Sequence, residues 1–400
     1  TAGNTSRERF MCVLCEITKT RAAYPGSYRA SSRNPCWQRG VTGPCQTALM
    51  KPAGAPIPAG SVQRGRNPPT LEEVAARAGV SRATASRVLR GASNVSDQAR
   101  TAVLTAAEDI AYAPNRAARS LVTGRSDSVA FLVAETEDRL FSDPFFLGML
   151  RAAQTVVAEA GLQLVFTVAS NPDEHRRFLH YAAGGHVDGV LVLSLHGRDQ
   201  LPQELESRAV PTVLSGRPLS GGDELYFVDS DNTGGARLAT EYLLAAGRRR
   251  IATITGPLDM CAGQDRLAGY RAALSSADRP ADDTLVAHGR FSIASGQRAM
   301  AELLAARPDL DAVFAASDLT AIGAMRAIEA AGRRVFSDVA VVGFDDIGDA
   351  ELAHPALTTI RQPITELGRT MASRLLQRIA GEPAERRTVL PVELIRRQTA

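Results

Sequence analysis

Residues 70–115 read TLEEVAARAGVSRATASRVLRGASNVSDQARTAVLTAAEDIAYAPN. Thr70 followed three residues later by Glu73 is a capping box, which starts a helix at Leu71. Leu71, Val74, Ala75 and Ala78 recur at helical spacing and form its inner face. Gly79 supplies the positive φ that a tight exit needs. Val80 then plugs the space between helices, and Ser81 caps a second helix running to about Arg90. Gly91 ends that one. Ser96 caps a third, with Val103, Leu104, Ala107 and Ile110 predicted to face inward. Two short helices joined by a four-residue turn containing glycine make a helix-turn-helix, whose second helix enters the major groove. Arg82, Thr84, Ser86, Arg87 and Arg90 leave that helix rich in hydrogen-bond donors. Arg82 and Ala83 stand at its N-terminal end, where side chains reach base edges: Arg suits guanine O6 and N7, and the Ala methyl suits thymine. A plain three-helix core with a solvated basic face is the alternative.

The rest of the 400-residue chain sets the context. A hydrophobic share of 44 % fits a globular protein with a core and excludes a disordered or fibrous one. No run of about eighteen apolar residues occurs, so no membrane span is expected. The first residues, TAGNTSRERF, lack the apolar stretch of a signal peptide, and five cysteines make no disulfide scaffold. The expected location is cytoplasmic. Lysines occur only at 19 and 51, which removes a GxxxxGK[ST] phosphate loop beyond them. Charge is uneven: residues 1–69 hold 10 basic and 2 acidic side chains, whereas residues 127–400 hold 28 and 36. A basic front on an acidic body suggests a polyanion partner at that end. Residues 1–69 lack periodicity and are read as a disordered extension or a start assigned too far upstream, with Met50 or Val62 as the true start. Cys12, Cys15, Cys36 and Cys45 also lie there, but the eight residues between Cys36 and Cys45 do not match a zinc knuckle.

Beyond residue 127 the pattern changes to α/β. Apolar runs recur near 129 (VAFLVAE), 162 (LQLVFTVAS), 187 (VDGVLVLSL), 210 (VPTVLS), 251 (IATITG), 311 (DAVFAAS) and 339 (VAVVGFD). Helical stretches separate most of them, for example Phe145–Ala160, Thr233–Ala246 and Asp318–Ala331. Short continuous apolar strands alternating with helices predict parallel sheets covered on both faces, and two such sheets fit the length. Ligands in this architecture bind at the carboxyl ends of strands.

The stretch VAARAGVSRATASRVLRG, then NVSDQAR, then AYAPNRAARSLVTGRS resembles the DNA-binding headpiece of the LacI/GalR repressor family. The match rests on Val74, Ala75, Ala78, Gly79, Val80, Ser81, Thr84, Ser86, Arg87, Val88 and Leu89, then Tyr112, Pro114 and Asn115. DPFFLGML, HVDGVLVLS, FVDSDNTGGARLATEYLLAAGRRRIATITGP, QDRLAGYRAAL, AASDLTAIGAMRAI, VAVVGFDDI and PALTTIRQP resemble the family's periplasmic-binding-protein-like sensor. The resemblance implies DNA-facing roles for Thr70, Ser81, Arg82, Ala83, Thr84, Ser86, Arg87, Asn94 and Tyr112. In the linker it implies them for Asn115, Arg116, Ala118, Arg119 and Leu121, where a hinge helix forms on the operator and the leucine wedges into the minor groove. For the effector it implies Arg266 as a donor to ligand oxygens and Asp345 as an acceptor of hydroxyls. Phe145 or Phe146 and Phe291 would be aromatic walls, and Ser317 a polar contact. Asp229 is expected to hold the lobe junction, or else to cap the next helix. Relatives that bind purines carry polar residues where this chain has Met260 and Ala262, so a sugar is the expected effector. The pair Gly216-Arg217 stands where relatives often have Asp-Arg. The ending RRQTA lacks tetramerising leucine heptads, which implies a homodimer.

The expected architecture is an α/β chain in four parts. Residues 1–69 are the extension, 70–114 a three-helix helix-turn-helix headpiece, 115–127 a hinge linker and 128–400 a two-lobed sensor with parallel sheets. The first lobe would take about 128–230 and 358–390, the second about 231–357, with three crossovers. The expected function is a DNA-binding transcriptional regulator, a repressor of a near-palindromic operator controlled by a sugar, with no cofactor and no enzymatic activity. Two other classes compete. A sugar receptor for transport would share the body but not the headpiece. An α/β enzyme would need a motif that is lacking: His175, His180, His186 and His196 have no metal spacing, Ser215-Gly216 is no nucleophile elbow, and no GxGxxG follows a strand.

Overall fold

A computed structural model describes residues 69–400, apart from 90, 93, 114–123, 221–223 and 280–281. The extension with its four cysteines, and the linker residues Asn115, Arg116, Ala118, Arg119 and Leu121, lie outside the described residues.

The headpiece is three helices: α1 (Leu71–Ala78), α2 (Arg82–Leu89) and α3 (Asp97–Asp109). The capping box forms as the sequence predicts, with Glu73 N–H donating to Thr70 Oγ1 at 3.2 Å and Thr70 N–H to Glu73 Oε2 at 2.8 Å. Gly79 takes φ +66° and closes α1. Ser81 Oγ accepts from Thr84 N–H at 3.1 Å and caps α2. Val74, Ala75, Ala85, Val88, Val103, Ala106 and Ala107 form a small core, and Val80 and Tyr112 pack against it. Leu104 departs from expectation: it is 46 % exposed. Val103, Ala106, Ala107 and Ile110 already complete an i, i+3, i+4, i+7 stripe, and the residue after Val103 is rotated by about 100° away from it.

The sensor contains two six-stranded sheets. The first is built from β1 (Ser128–Val133), β2 (Gln163–Val168), β3 (Gly189–Leu193), β4 (Thr212–Ser215), β5 (Tyr226–Ser230) and β11 (Arg387–Leu390), in the order β11-β5-β4-β3-β1-β2. The second uses β6 (Ile251–Thr255), β7 (Val286–His288), β8 (Ala312–Ala315), β9 (Ala340–Asp345), β10 (Thr358–Arg361) and β12 (Glu393–Ile395), in the order β12-β10-β9-β8-β6-β7. All pairings are parallel except β10 with β12. Helices at Pro144–Glu159, Asn232–Ala245 and Asp318–Ala330 match the expected spans within a residue or two. Each sheet carries apolar clusters on both faces, and its central strands are wholly buried, as their unbroken apolar runs require.

The chain passes between the sheets after residues 230, 361 and 390. One boundary is corrected. Residues 358–361 pair with β9 in the second sheet, so the first lobe resumes at the helix Ile364–Ala380 rather than at 358. The final residues return to the second lobe, where Val341 N–H donates to Thr399 O at 2.8 Å. These crossovers place the carboxyl ends of both sheets against one cleft.

Candidate functional site

On α2, Arg82, Ala83 and Arg87 are exposed, Thr84 and Ser86 are half-buried, and Ala85 and Val88 anchor the helix inward. Arg82 is 71 % exposed and pairs with Glu72 at 2.8 Å. An exposed pair of this kind is weak and can be exchanged for a phosphate or a base. Ser81 and Thr84 share a 2.9 Å hydroxyl contact. Thr70 is engaged as a helix cap, Asn94 is exposed, and Tyr112 lies half-buried on the headpiece core.

The cleft of the sensor holds a cavity of ≈ 90 Å³ to which both lobes contribute. Its centre is Arg266, carried on the helix Cys261–Ser276 of the second lobe. Nε donates to Asn232 Oδ1 at 2.8 Å, and Nη1 donates to Ala316 O at 2.5 Å and to Asp345 Oδ1 at 3.4 Å. The guanidinium also stacks on Phe344, 3.7 Å from the ring centroid. Burial pulls the Arg266 pKa down, against the neighbouring Asp345, Asp229 and Asp318. Asp345 stands at the end of β9 with φ +119°, an unfavourable conformation for a side-chain-bearing residue. Burial pushes its pKa up to about 7, against the pull of Arg266. Gln362, at the crossover, donates to Asp345 Oδ1 at 2.6 Å and accepts from Ser230 Oγ at 2.7 Å, so it ties the acid to both lobes.

Aromatic rings close the sides. Phe145, Phe146 and Phe291 all line the cavity, with Phe146 also part of the first lobe's core. Phe291 has φ +52° and brings the tip of its ring against Gly256, where an added Cβ would come within 2.1 Å of Cζ. Ser194, at the end of β3, has φ +61°. Three strained residues around one cleft, Ser194, Phe291 and Asp345, fit a site whose backbone is held by its surroundings.

Ser317 is corrected. It is 2 % exposed and does not line the cavity. Its hydroxyl caps the helix Asp318–Ala330, accepting from Thr320 N–H at 3.2 Å. Asp229 lines the cavity and holds the lobe junction, accepting from Arg217 N–H at 3.1 Å and Asn232 Nδ2 at 2.9 Å. The cap of the next helix is Asp231 instead. Met260 and Ala262 face the cavity with apolar groups.

Sequence reading missed Arg139, Asp143, Ser194, Asn232 and Gln362, all of which line the cavity. Arg139 lies on a short helix, Glu137–Ser142, and reaches across the cleft to donate to Arg290 O at 2.9 Å. It stacks over Phe291 at 5.0 Å and pairs with Asp143 at 3.3 Å. Its buried Nε has no hydrogen-bond partner, although Glu135 Oε1 is 3.1 Å away. Burial raises the Asp143 pKa, against Arg139. Two further bridges join the lobes: Arg217 to Asp265 at 2.7 and 2.9 Å, and His196 to Asp259 at 3.0 Å. Asp143 caps the helix Pro144–Glu159, accepting from Phe145 N–H at 3.0 Å, and an Asp-Pro pair is a local signal that can mark such a start. Nothing local to Arg139 marked it as a residue of the cleft.

Among the described residues no group of three or more His, Cys, Asp or Glu side chains is placed to hold a metal ion, and no helix is long and apolar enough to cross a membrane.

The chain matches two sequence families: residues 70–115 match "Bacterial regulatory proteins, lacI family", and residues 240–400 match "Periplasmic binding protein-like domain". It is 50 % identical over 336 residues to the HTH-type transcriptional regulator CelR of Thermobifida fusca, covering 84 % of this chain and 99 % of CelR. It is 34 % identical to the ribose operon repressor of Halalkalibacterium halodurans, covering 82 % of this chain and 96 % of that repressor. Among solved structures, a CelR–cellobiose complex is 48 % identical, with a TM-score of 0.67 over 83 % of this chain and all of that one. The lac repressor dimer bound to operator and an anti-inducer is 30 % identical, with a TM-score of 0.74 over 83 % of this chain and 99 % of that one. The chain therefore belongs to the LacI family of bacterial regulatory proteins.

Proposed function

We propose that this protein is a sequence-specific transcriptional repressor whose operator affinity is set by a disaccharide of the cellobiose type, held between the sensor lobes. The carrying observation is the buried pair Arg266–Asp345 at the centre of an aromatic-walled cleft, in a chain that carries an exposed basic helix-turn-helix at residues 71–89. Arg266 offers donors and Asp345 an acceptor, which together suit neighbouring hydroxyls. Phe145 and Phe291 offer faces for a sugar ring. Met260 and Ala262 offer a purine nothing polar. The CelR relative, solved with cellobiose, supports the ligand class.

The cavity of ≈ 90 Å³ is far below the roughly 300–1,000 Å³ of small-molecule pockets, so the lobes must part to admit a disaccharide. Parting breaks the bridges of Arg139, Arg217 and His196; on closure over the sugar the bridges of Arg217 and His196 re-form, while Arg139, which lines the cavity, gives way to the ligand. The repressor would act as a homodimer, as the lac repressor does on its operator. Two copies of α2 then sit in successive major grooves, with Arg82 and Ala83 toward the bases and Leu121 as the wedge at the centre. A change of lobe angle moves the two headpieces out of register. By linkage, the sugar releases DNA only through its differential affinity for the two states.

Selection from random duplex DNA by the full chain, with and without cellobiose, tests this. The expected result is a palindrome with a flexible central step, enriched only without the sugar. No enrichment under either condition would overturn the regulator reading. Equal cellobiose affinity with and without operator would overturn the coupling.

A further inference from the structure

His196 follows β3 at the rim of the cleft. Its Nε2 lies 3.0 Å from Glu135 Oε1 in its own lobe, and its Nδ1 lies 3.0 Å from Asp259 Oδ2 in the other. Gly197 N–H reinforces the second contact, donating to Asp259 O at 2.7 Å. A neutral imidazole carries one N–H, so it can satisfy one of these carboxylates and must set a lone pair against the other. Only the imidazolium serves both.

We propose that His196 is a positioning residue for effector capture, a proton-dependent clip whose imidazolium holds Asp259 and draws the second lobe onto the first. This rests on the reading that the effector binds between the lobes. Glu135 cannot turn away, because it is buried, accepts from Ser194 Oγ at 2.7 Å and lies 3.1 Å from Arg139 Nε. Other cations face the same place. His288, Arg290 and Arg298 line a cavity of ≈ 410 Å³ shared with His196 and Asp259, and they oppose a further positive charge. The two carboxylates in contact outweigh them: the hydrogen bond to Glu135 first, and then Asp259, raise the His196 pKa above its usual 6.5 despite burial. Glu135 answers in kind. Burial pushes its pKa up, but His196, Arg139 and Ser194 together bring it below the usual carboxylate value.

Opening takes Asp259 away, leaves Glu135 in place and rehydrates the ring; the first change lowers the open-state pKa and the last raises it. The clip requires the loss of Asp259 to win, so that the closed lobes hold the proton more tightly than the open ones. Closure takes up a proton. The clip's contribution to sugar affinity is full at low pH and is lost as pH rises through the closed-state value above 6.5. Asp345 titrates near 7 and Asp143 is raised in the same cleft, so a wild-type pH profile sums several groups. The ratio of wild type to His196→Gln isolates the clip, since glutamine keeps a hydrogen bond and takes no charge.

Cellobiose is titrated into the full chain at about pH 6 and about pH 8.5, for wild type, His196→Gln and Asp259→Asn. The wild-type to His196→Gln affinity ratio should fall about fivefold or more between the two, with Asp259→Asn following His196→Gln. A ratio that does not change with pH overturns the proposal. A second measurement needs no sugar: the His196 ring is titrated by NMR in wild type and in Asp259→Asn. A lower value in the variant supports the clip, and an unchanged one overturns it. If cellobiose binds at neither pH while the ring titration still depends on Asp259, the sugar reading fails and the clip stands.

Discussion

The headpiece and the sensor cleft each use an arginine beside a carboxylate, in opposite surroundings. Arg82 and Glu72 are 71 % and 61 % exposed, whereas the side chains of Arg266 and Asp345 are 6 % and 10 % exposed. The exposed pair contributes little to folding and can be traded for contacts with a nucleic acid. The buried pair was costly to desolvate and is held by Asn232, Ala316 O and Gln362, so removing either member leaves an uncompensated group in the core. The headpiece therefore displays its chemistry on a fold that does not depend on it. The cleft builds its chemistry into the contacts that hold the lobes, which lets a ligand there act on the arrangement of the molecule.

The contrast can be broken at both ends. The largest effect should come from Arg266→Met: a loss of about 3–5 kcal/mol in sensor stability by denaturant unfolding, together with loss of sugar response. A variant as stable as wild type would mean that the cleft, like the headpiece, carries its charges at no structural cost. Arg82→Ala should relax base choice at one operator position by about 1–3 kcal/mol while stability stays unchanged. Uniform weakening across sequences would instead make Arg82 a phosphate contact. Gly79→Ala probes the headpiece backbone. The added Cβ meets open space, but φ +66° disfavours any L side chain, so amides of 71–110 should lose about 1 kcal/mol of hydrogen-exchange protection. The smallest effect is expected for Arg217→Ala. It removes a partly exposed bridge to Asp265, and sugar affinity should change by about 1 kcal/mol or less. A larger change would place Arg217 with the buried group.

How much of each region could be read in advance follows the same divide. In the headpiece, capping box, turn glycine, second cap and inner stripe all act within four residues, and they appear in the structure where the spacing put them. Only Leu104 was misplaced, because a three-helix core is too small to bury every apolar neighbour of its stripe. In the sensor, all seven apolar runs became strands: six are buried, and the run near 162 became β2, a partly exposed strand at the edge of its sheet. The strands not foreseen, β5, β7, β10, β11 and β12, are short or carry charged residues such as Arg361, Arg387 and Glu393. At the site, Arg266, Asp345, Phe145, Phe146 and Phe291 were named from resemblance and do line one cavity. Ser317 was named too, but its hydroxyl is committed to a helix end.

Helix caps, glycine turns and unbroken apolar strands are local, and the linear order of residues settles them because their partners lie within a turn or a pleat. That order was enough for a helix-turn-helix, for two parallel sheets and for the class of regulator they compose. The cleft is different. Arg139, His196, Asp259, Arg266, Asp345 and Gln362 lie on separate segments and meet only because the chain crosses between the lobes three times. Whether each charge is paired, buried or bridging the lobes depends on partners far along the chain: 17 positions for Gln362 with Asp345, 79 for Arg266 with Asp345 and 151 for Arg139 with Arg290. Only the packed lobes decide that, because the energy of a charge is set by what surrounds it.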